Sequence, residues 1–422
     1  MKKKGGNAQA WQTQLNVSAL AISSLWRVGT SFILQLWIAY QLSVTVLGQY
    51  TIVLAYLHVC QILSELGLPT FLVSRLAHSP AERPLYSRMA LQIQLLSSLF
   101  VWGGLILLTI AFPFSPNVRL SLIYVGASLP FYAITSVYQT LFRASEQMLW
   151  IMIIEVLINT LILAFSSWIV WHGGTLVELV IVLVWTQAIS GLMCWILWYR
   201  VSKKLSFQER TRFLCPARYT NPRYDMLRDA RPFYGLALAE VLLSRLDILL
   251  LSIFAGDGIT GIYSAAYNIV RVPAKLIQSY WQALYPTLSR LRAGDHPHYV
   301  RLIRQSMGIG FLLALAGVGV ISLLAEPLLA IVYEKQIAEI VPIFRVLIWS
   351  MPVLLIEMGY LTLLMTEQKA GVALRIMVLH LCCLAILLPI LTNSGGVGTA
   401  YAVLSATIIG AIAGIWRWAE RR

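Results

Sequence analysis

Two basic residues, Arg271 and Lys275, stand four positions apart within an apolar stretch of the sequence. If this stretch is a helix, their side chains lie one turn apart, about 6 Å along the axis, on one face. Two cations at this spacing suit a ligand with adjacent negative groups, such as a diphosphate. Tyr263, Tyr267 and Gln278 fall on the same face and offer hydroxyl and amide groups. The pattern predicts a binding surface for a polar, anionic ligand.

A second set of ionisable residues lies in the preceding stretch, AEVLLSRLDILLLSIF, residues 239–254. Glu240, Arg245 and Asp247 interrupt a sequence that is otherwise typical of a membrane-spanning helix. On a regular helix the two acids lie within about 60° of each other, whereas Arg245 lies about 140° from Glu240. We therefore expect Arg245 to find its partner on a neighbouring segment. Substrate contact and an ion pair between helices both remain open for these residues.

A third polar stripe lies in the second apolar run, residues 49–73, where Tyr50, His58, Gln61 and Glu65 fall within an arc of about 80°. Lipid cannot hydrogen-bond such a stripe, so it must face water or protein. The stripe predicts sugar-binding groups, and His58 with Glu65 is a candidate proton relay. A structural polar pair is the alternative for those two residues. Arg27, midway along the first apolar segment, is a further candidate for substrate contact.

The remaining embedded acids are expected to belong to a buried charge network. A charge at the centre of a bilayer costs about 2.5–3.5 kcal/mol, so most such groups must be paired, hydrated or protonated. Ion pairs or hydrogen bonds between helices are as well supported as substrate contact here. The predicted network comprises Glu155, Glu240, Arg245, Asp247 and Glu357.

The elements that must position these residues are apolar helices. The chain has 422 residues, of which 59% are hydrophobic and 12% charged, against about 25% charged in soluble domains. Each apolar run is long enough to cross a bilayer core of about 30 Å as a helix. The sequence therefore predicts an all-α, polytopic membrane protein. The twelve runs are 18–41, 49–73, 89–112, 121–142, 149–171, 177–199, 232–255, 260–286, 306–332, 341–365, 375–393 and 398–416.

The distribution of basic residues predicts the orientation of these helices. The net charge is +14, but the basic residues cluster in alternate loops rather than on a face for nucleic acid. With the N-terminus inside, the outside loops hold only Arg119 and Lys335. This asymmetry is the positive-inside pattern and predicts that both termini lie in the cytoplasm. We accordingly expect membrane lipids, and no nucleic acid, as partners.

Several signatures of enzymes are missing from the sequence. It contains no GxxxxGK[ST] phosphate loop, no HExxH and no CxxC pair. We therefore expect no cofactor and no metal site, and transport rather than catalysis. Without a nucleotide site, a proton or ion gradient is the expected energy source, and the sequence leaves open which ion is used.

The chain divides around a basic stretch, residues 200–231, into a predicted N-terminal lobe, 1–199, and a C-terminal lobe, 232–422. The two halves share short strings in the same order: GQY (48–50) with GIY (261–263), PTFLVSRL (69–76) with PTLSRL (286–291), and YQTLFRASEQ (138–147) with YLTLLMTEQ (360–368). Six predicted helices separate equivalent strings, so the repeats are parallel. Such a pseudo-twofold duplication places a substrate site near the membrane midplane between the lobes.

Two longer stretches carry a family resemblance. SRLDILLLSIFAGDGITGIYSAAYNIVRVPAKL (244–276) and LGQYTIVLAYLHVCQILSELGLPTFLVSRLA (47–77) resemble segments of bacterial polysaccharide and O-antigen flippases of the Wzx type. That family belongs to a superfamily shared with multidrug antiporters and the lipid II flippase. The resemblance implies a two-lobed bundle that works by alternating access in the bacterial plasma (inner) membrane. It also implies a cationic cavity, which Arg27, Arg271 and Lys275 match by position.

The function implied by the resemblance is translocation of an undecaprenyl-diphosphate-linked oligosaccharide for O-antigen, lipopolysaccharide or other cell-surface polysaccharide synthesis. Polysaccharide polymerase machinery is a candidate partner. The alternative is a cation-coupled multidrug antiporter of the same superfamily, which needs an acidic or aromatic cavity. A membrane scaffold within a polysaccharide-synthesis complex is a third class, and it predicts that no cavity residue matters.

Overall fold

The computed structural model describes residues 2–78, 82–209, 222–294, 296–333, 336–367 and 369–419. These residues form α-helices joined by short turns, and no strand occurs among them. The helices are α1 Lys2–Gln41, α2 Val44–Glu65, α3 Leu68–His78, α4 Arg83–Ala111, α5 Pro116–Gly126, α6 Leu129–Ala144, α7 Met148–Trp171, α8 Leu176–Glu209, α9 Pro222–Leu243, α10 Leu246–Phe254, α11 Gly256–Gly294, α12 His296–Leu323, α13 Ala325–Ala330, α14 Ile337–Ile348, α15 Ser350–Thr366, α16 Ala370–Leu391 and α17 Gly395–Ala419.

All twelve predicted apolar segments coincide with helices. By length and composition, seven stretches of the described residues could cross a membrane, or eight if the pair α5 and α6, bent by 44°, counts as one span. α1, α9, α10 and α11 are not among them. All four helices carry ionisable residues in predicted spans, and α10 is in addition only nine residues long.

Five predicted spans are interrupted, contrary to the sequence-based expectation of regular helices, and the breaks in the second and seventh lie at ionisable residues. The second ends at Glu65, because Leu66 and Gly67 adopt left-handed backbone angles, φ 53° and φ 72°. The seventh breaks between α9 and α10, where Arg245 has φ −140° and ψ −14°. The predicted angular relation between Glu240, Arg245 and Asp247 is therefore wrong, since it assumed one continuous helix.

The chain forms two compact units, residues 1–37 with 56–238 and residues 38–55 with 239–422. In the first, the core joins α3, α4, α6 and α9 around residues such as Leu72, Met89 and Leu141. In the second, one core cluster joins α11, α12 and α15 around Trp281, Ile303 and Leu355. Trp281 donates its indole N–H to the backbone carbonyl of Leu355 at 3.0 Å, which fixes α15 against α11.

The basic stretch 200–231 is helical wherever it is described. Residues 200–209 continue α8 and residues 222–231 begin α9, while 210–221 lie outside the described residues. The first half of α2 belongs to the second unit. A Cβ atom on Gly48 would lie 2.5 Å from the Cα of Gly261. Glycine at both positions is what allows α2 and α11 to pack backbone to backbone.

Candidate functional site

The cationic pair lies on α11, as the sequence predicts for a helix, and both side chains are half-buried. Lys275 donates from Nζ to Oε1 of Gln278 at 2.6 Å. Gln278 in turn donates from Nε2 to Oε1 of Glu240 at 3.2 Å. The amide thus links the ammonium group to a carboxylate on α9. This chain of polar groups orients Lys275 and places an exposed acid near the cation.

The break between α9 and α10 is held by two tyrosines of α11. Tyr263 donates its hydroxyl to Oδ2 of Asp247 at 2.6 Å, and Tyr267 donates to the backbone carbonyl of Ser244 at 2.9 Å. The two rings stack with their centroids 5.9 Å apart. A helix end leaves carbonyls without internal donors, and Tyr267 supplies one. Both tyrosines therefore stabilise the break between α9 and α10 by hydrogen bonds.

Asp247 and Arg245 are buried at this break, with 3% and 4% of their surface exposed. Oδ1 of Asp247 accepts the backbone N–H of Ile248 at 2.8 Å, in the first turn of α10. A carboxylate suits a helix N-terminus because the unpaired N–H groups there are positively polarised. The positive charge of Arg245 acts on Asp247, so these two residues belong to one local arrangement rather than to separate segments.

In the first unit, Glu65 is the centre of a second polar cluster. Its Oε1 accepts hydrogen bonds from the hydroxyl of Tyr132 at 2.7 Å and from that of Ser136 at 2.9 Å. The charge of Arg143 acts on Glu65, and those of Arg143 and Arg27 act on Tyr132. Glu65 and Arg27, both selected from the sequence, thus act on the same side chain, Tyr132.

Tyr132, Ser136 and Arg143 were missed by the sequence interpretation. All three lie on α6, at positions 132, 136 and 143, which repeat at intervals of four and seven residues and so share a helix face. That spacing was the available signal. It was not recognised because α6 carries a single charged residue, at its end.

The other residues of the α2 stripe do not form one surface. Tyr50 is 3% exposed and belongs to the second unit, whereas His58 and Gln61 are half-buried in the first. Gln61 accepts the hydroxyl of Ser64 with its backbone carbonyl at 2.7 Å. The stripe is continuous along the helix, but the packing divides it between the two units.

Two acids of the predicted charge network lie elsewhere. Glu155 is half-buried on α7 and its charge acts on Cys194 of α8. Glu357 on α15 is buried, and Nδ1 of His380 on α16 lies 2.6 Å from its Oε1. His380 was not selected from the sequence, because a lone histidine in an apolar helix gives no spacing pattern. Within the described residues, no group of three His, Cys, Asp or Glu side chains could hold a metal ion.

Comparison with known proteins decides the family. The family model described as "Polysaccharide biosynthesis protein" matches residues 15–292. The chain belongs to this family. That match runs from within α1 through most of α11, and therefore includes both polar clusters and the cationic pair. No curated protein matches the sequence as a relative.

Solved structures share the fold of this polysaccharide biosynthesis protein. The inward closed conformation of the lipid II flippase MurJ matches with a TM-score of 0.74 at 12% identity, over 94% of this chain and 86% of that one. An inward-facing multidrug resistance MATE family transporter of the MOP superfamily matches with a TM-score of 0.70 at 13% identity, over 96% and 98%. A MOP superfamily transporter from Pyrococcus furiosus matches at 0.64 and 14% identity, over 96% and 95%.

These likenesses confirm the predicted fold class, a membrane protein of about twelve transmembrane helices in two lobes. With the family match, they confirm the resemblance to Wzx-type flippases of the MOP superfamily. Those solved structures are a lipid II flippase and multidrug or MOP superfamily transporters. The chain thus belongs to a polysaccharide biosynthesis family and has the fold of these membrane proteins.

Proposed function

We propose that this chain is a membrane transporter, a flippase for a lipid-linked oligosaccharide carried on undecaprenyl diphosphate. The observation that carries the proposal is the Arg271–Lys275 pair on α11, a helix covered by the polysaccharide biosynthesis match. A diphosphate needs cationic donors at close spacing, and this pair supplies them inside a predicted membrane span. The fold likeness to the lipid II flippase MurJ supports a lipid-borne substrate.

The diphosphate binds Arg271 and Lys275 in this account. The link from Lys275 through Gln278 to Glu240 gives the ammonium a partner when no substrate is bound. A bound diphosphate competes with that link for the ammonium, because both are hydrogen-bond acceptors. Substrate binding therefore changes the contact between α11 and α9, which offers a route from binding to movement.

The sugars contact polar side chains, and the prenyl chain stays in lipid. Tyr267 and Gln278 offer donors and acceptors at half-buried positions. Tyr50 and Tyr263 are buried, so they contact sugars only in a conformation that uncovers them. Alternating access then exposes the site to the outer side of the bacterial inner membrane, with both termini in the cytoplasm and the polymerase machinery of polysaccharide synthesis as the partner downstream.

The proposal is tested by removing the cationic pair. In cells whose surface polysaccharide depends on this chain, Arg271→Ala combined with Lys275→Ala should reduce surface polysaccharide at least tenfold. Losing charge-assisted hydrogen bonds of about 1.5–3 kcal/mol each accounts for that size. The matched control is Arg290→Ala with Arg301→Ala, which removes two exposed cations from the same unit. Normal polysaccharide from the cationic-pair variant, at equal protein level, overturns the diphosphate site.

The multidrug antiporter is tested in the same strains. Cells that overproduce the wild-type chain should show unchanged susceptibility to cationic drugs, because a cationic site repels such compounds. Drug resistance that is conferred by the wild type and kept by the cationic-pair variant would favour the antiporter instead.

A further inference from the structure

A buried acid–histidine pair lies in the second unit, where α15, α16 and α17 pack together. Glu357 and His380 are 3% and 7% exposed. Their Oε1 and Nδ1 atoms are 2.6 Å apart, the length of a strong charge-assisted hydrogen bond. Ionisable residues within membrane helices are costly and mark functional sites by default. The proposed diphosphate site does not use this pair.

Among the described residues, only one of the two carboxylate oxygens of Glu357 has a hydrogen-bond partner. Its second oxygen, Oε2, is buried and has no hydrogen-bond partner among the described residues. On the other side, Gly410 of α17 packs so closely that a Cβ atom there would lie 2.5 Å from Oε1 and 3.1 Å from Nδ1 of His380. The pair is therefore enclosed by helix backbone, and one of its oxygens can take up a proton without losing an existing protein contact.

Other titratable or charged groups lie on the helices packed against the pair. Those whose bonds are defined have other partners: Asp247 accepts from Tyr263, and Arg345 pairs with Glu326. Arg375, on the same helix as His380, is exposed. The groups on these helices at or near their predicted spans are Asp247 on α10, Tyr263, Tyr267, Arg271, Lys275, Tyr280 and Tyr285 on α11, Tyr299 on α12, Arg345 on α14, Tyr360 on α15, Arg375, Cys382 and Cys383 on α16, and Tyr401 on α17.

The charge of the pair depends on how many protons it holds. With one proton, on Nδ1 and donated to Oε1, the imidazole is neutral and the pair carries one net negative charge. A second proton, on Nε2 or on Oε2, makes the pair neutral overall. Low-dielectric surroundings penalise the charged form strongly, so the packing of α15, α16 and α17 must differ in stability between the two states.

We propose that Glu357 and His380 form the proton-binding site that couples this transporter to a proton gradient. The pair takes up one proton from the outer aqueous side in one conformation and releases it to the cytoplasm in the other. Proton binding itself is independent of the proposed function, whereas the coupling step rests on it. The two are therefore tested by separate measurements.

Proton binding is tested by NMR on purified protein labelled with ¹⁵N-histidine. One imidazole signal, absent from His380→Gln, should change from the neutral to the protonated shift when the pH is lowered within the range in which the protein stays folded. In Glu357→Gln that change should be lost, because the imidazolium has no counter-charge. Glu339→Gln, at an exposed acid of the same unit, should leave it intact. A signal that does not titrate, or that titrates identically in Glu357→Gln, overturns the site.

Coupling is tested in proteoliposomes that contain the lipid-linked oligosaccharide. Wild type and Glu339→Gln should transport at least tenfold faster with an imposed pH gradient than without one. Glu357→Gln and His380→Gln should keep the gradient-independent rate and lose this acceleration. Acceleration retained in both pair variants contradicts the coupling site while leaving the flippase intact. If wild type does not transport the lipid but the pair still titrates by NMR, the proposed function is contradicted and the proton-binding site is not.

Discussion

Individual side chains explain how ionisable residues are tolerated in these helices. Two carboxylates, one half-buried and one buried, accept hydrogen bonds from a neighbouring helix: Glu65 from Tyr132 and Ser136, and Asp247 from Tyr263. A hydroxyl donor satisfies a carboxylate oxygen without adding a second charge. Most of these donors are tyrosine and serine residues, which charge counting in the sequence overlooks.

Removing one such donor should destabilise the second unit. Tyr263→Phe leaves Oδ2 of Asp247 buried without its 2.6 Å hydrogen bond, and the expected loss is about 1–3 kcal/mol. We expect a lower Tm for the variant in detergent. Tyr285→Phe, at an exposed tyrosine of the same helix, is the control and should melt like wild type. Equal Tm values for Tyr263→Phe and wild type would contradict the role assigned to this hydroxyl.

A methyl group at Gly410 should disturb the Glu357–His380 pair. Its Cβ would lie 2.5 Å from Oε1 of Glu357, so the carboxylate must move. Alanine normally stabilises a helix relative to glycine by about 1 kcal/mol. A Tm below that of wild type in Gly410→Ala would therefore report the displaced pair. Gly317→Ala on α12, where nothing lies within 4 Å of the added atom, should show no decrease. Stabilisation of both variants to the same extent would show that the pair is loosely packed.

At the scale of helices, breaks and close approaches position the polar groups. The end of α2 at Glu65 and the break before α10 at Arg245 turn ionisable residues toward neighbouring helices. Hydrophobic periodicity predicts where helices lie but not where they break inside an apolar run. The break at Arg245 has no proline or glycine to mark it. The packing of Tyr263 and Tyr267 against it could not be predicted from local sequence.

The close approach of α2 and α11 should be sensitive to any side chain. Gly48→Ala brings Cβ to 2.5 Å from the backbone of Gly261, and backbone atoms cannot rotate away as a side chain can. We expect a loss of about 1–3 kcal/mol of stability from overpacking, measured by Tm or by resistance to denaturant. Gly103→Ala on α4, where the added atom meets nothing within 4 Å, is the control. Unchanged stability in Gly48→Ala would contradict the backbone contact.

For the whole molecule, composition and apolar periodicity predicted the fold class and all twelve apolar segments. They did so because bilayer thickness fixes helix length and lipid excludes unpaired backbone. The cationic pair on α11 was predictable because four-residue spacing defines a helix face. Arg143, Tyr132 and His380 were not, because their partners lie far away in sequence: Tyr132 is 67 residues from Glu65 and His380 is 23 from Glu357.

The central claim is that the chain moves a lipid-linked oligosaccharide between leaflets, and its most direct test is the leaflet location of that lipid. The measurement depletes the protein, prepares membrane vesicles of defined orientation, and exposes each face to an impermeant glycosidase. We predict that the diphospholipid accumulates on the cytoplasmic face and that restoring the wild-type chain, but not the variant lacking Arg271 and Lys275, reverses this. An unchanged distribution between the two faces after depletion would contradict the account.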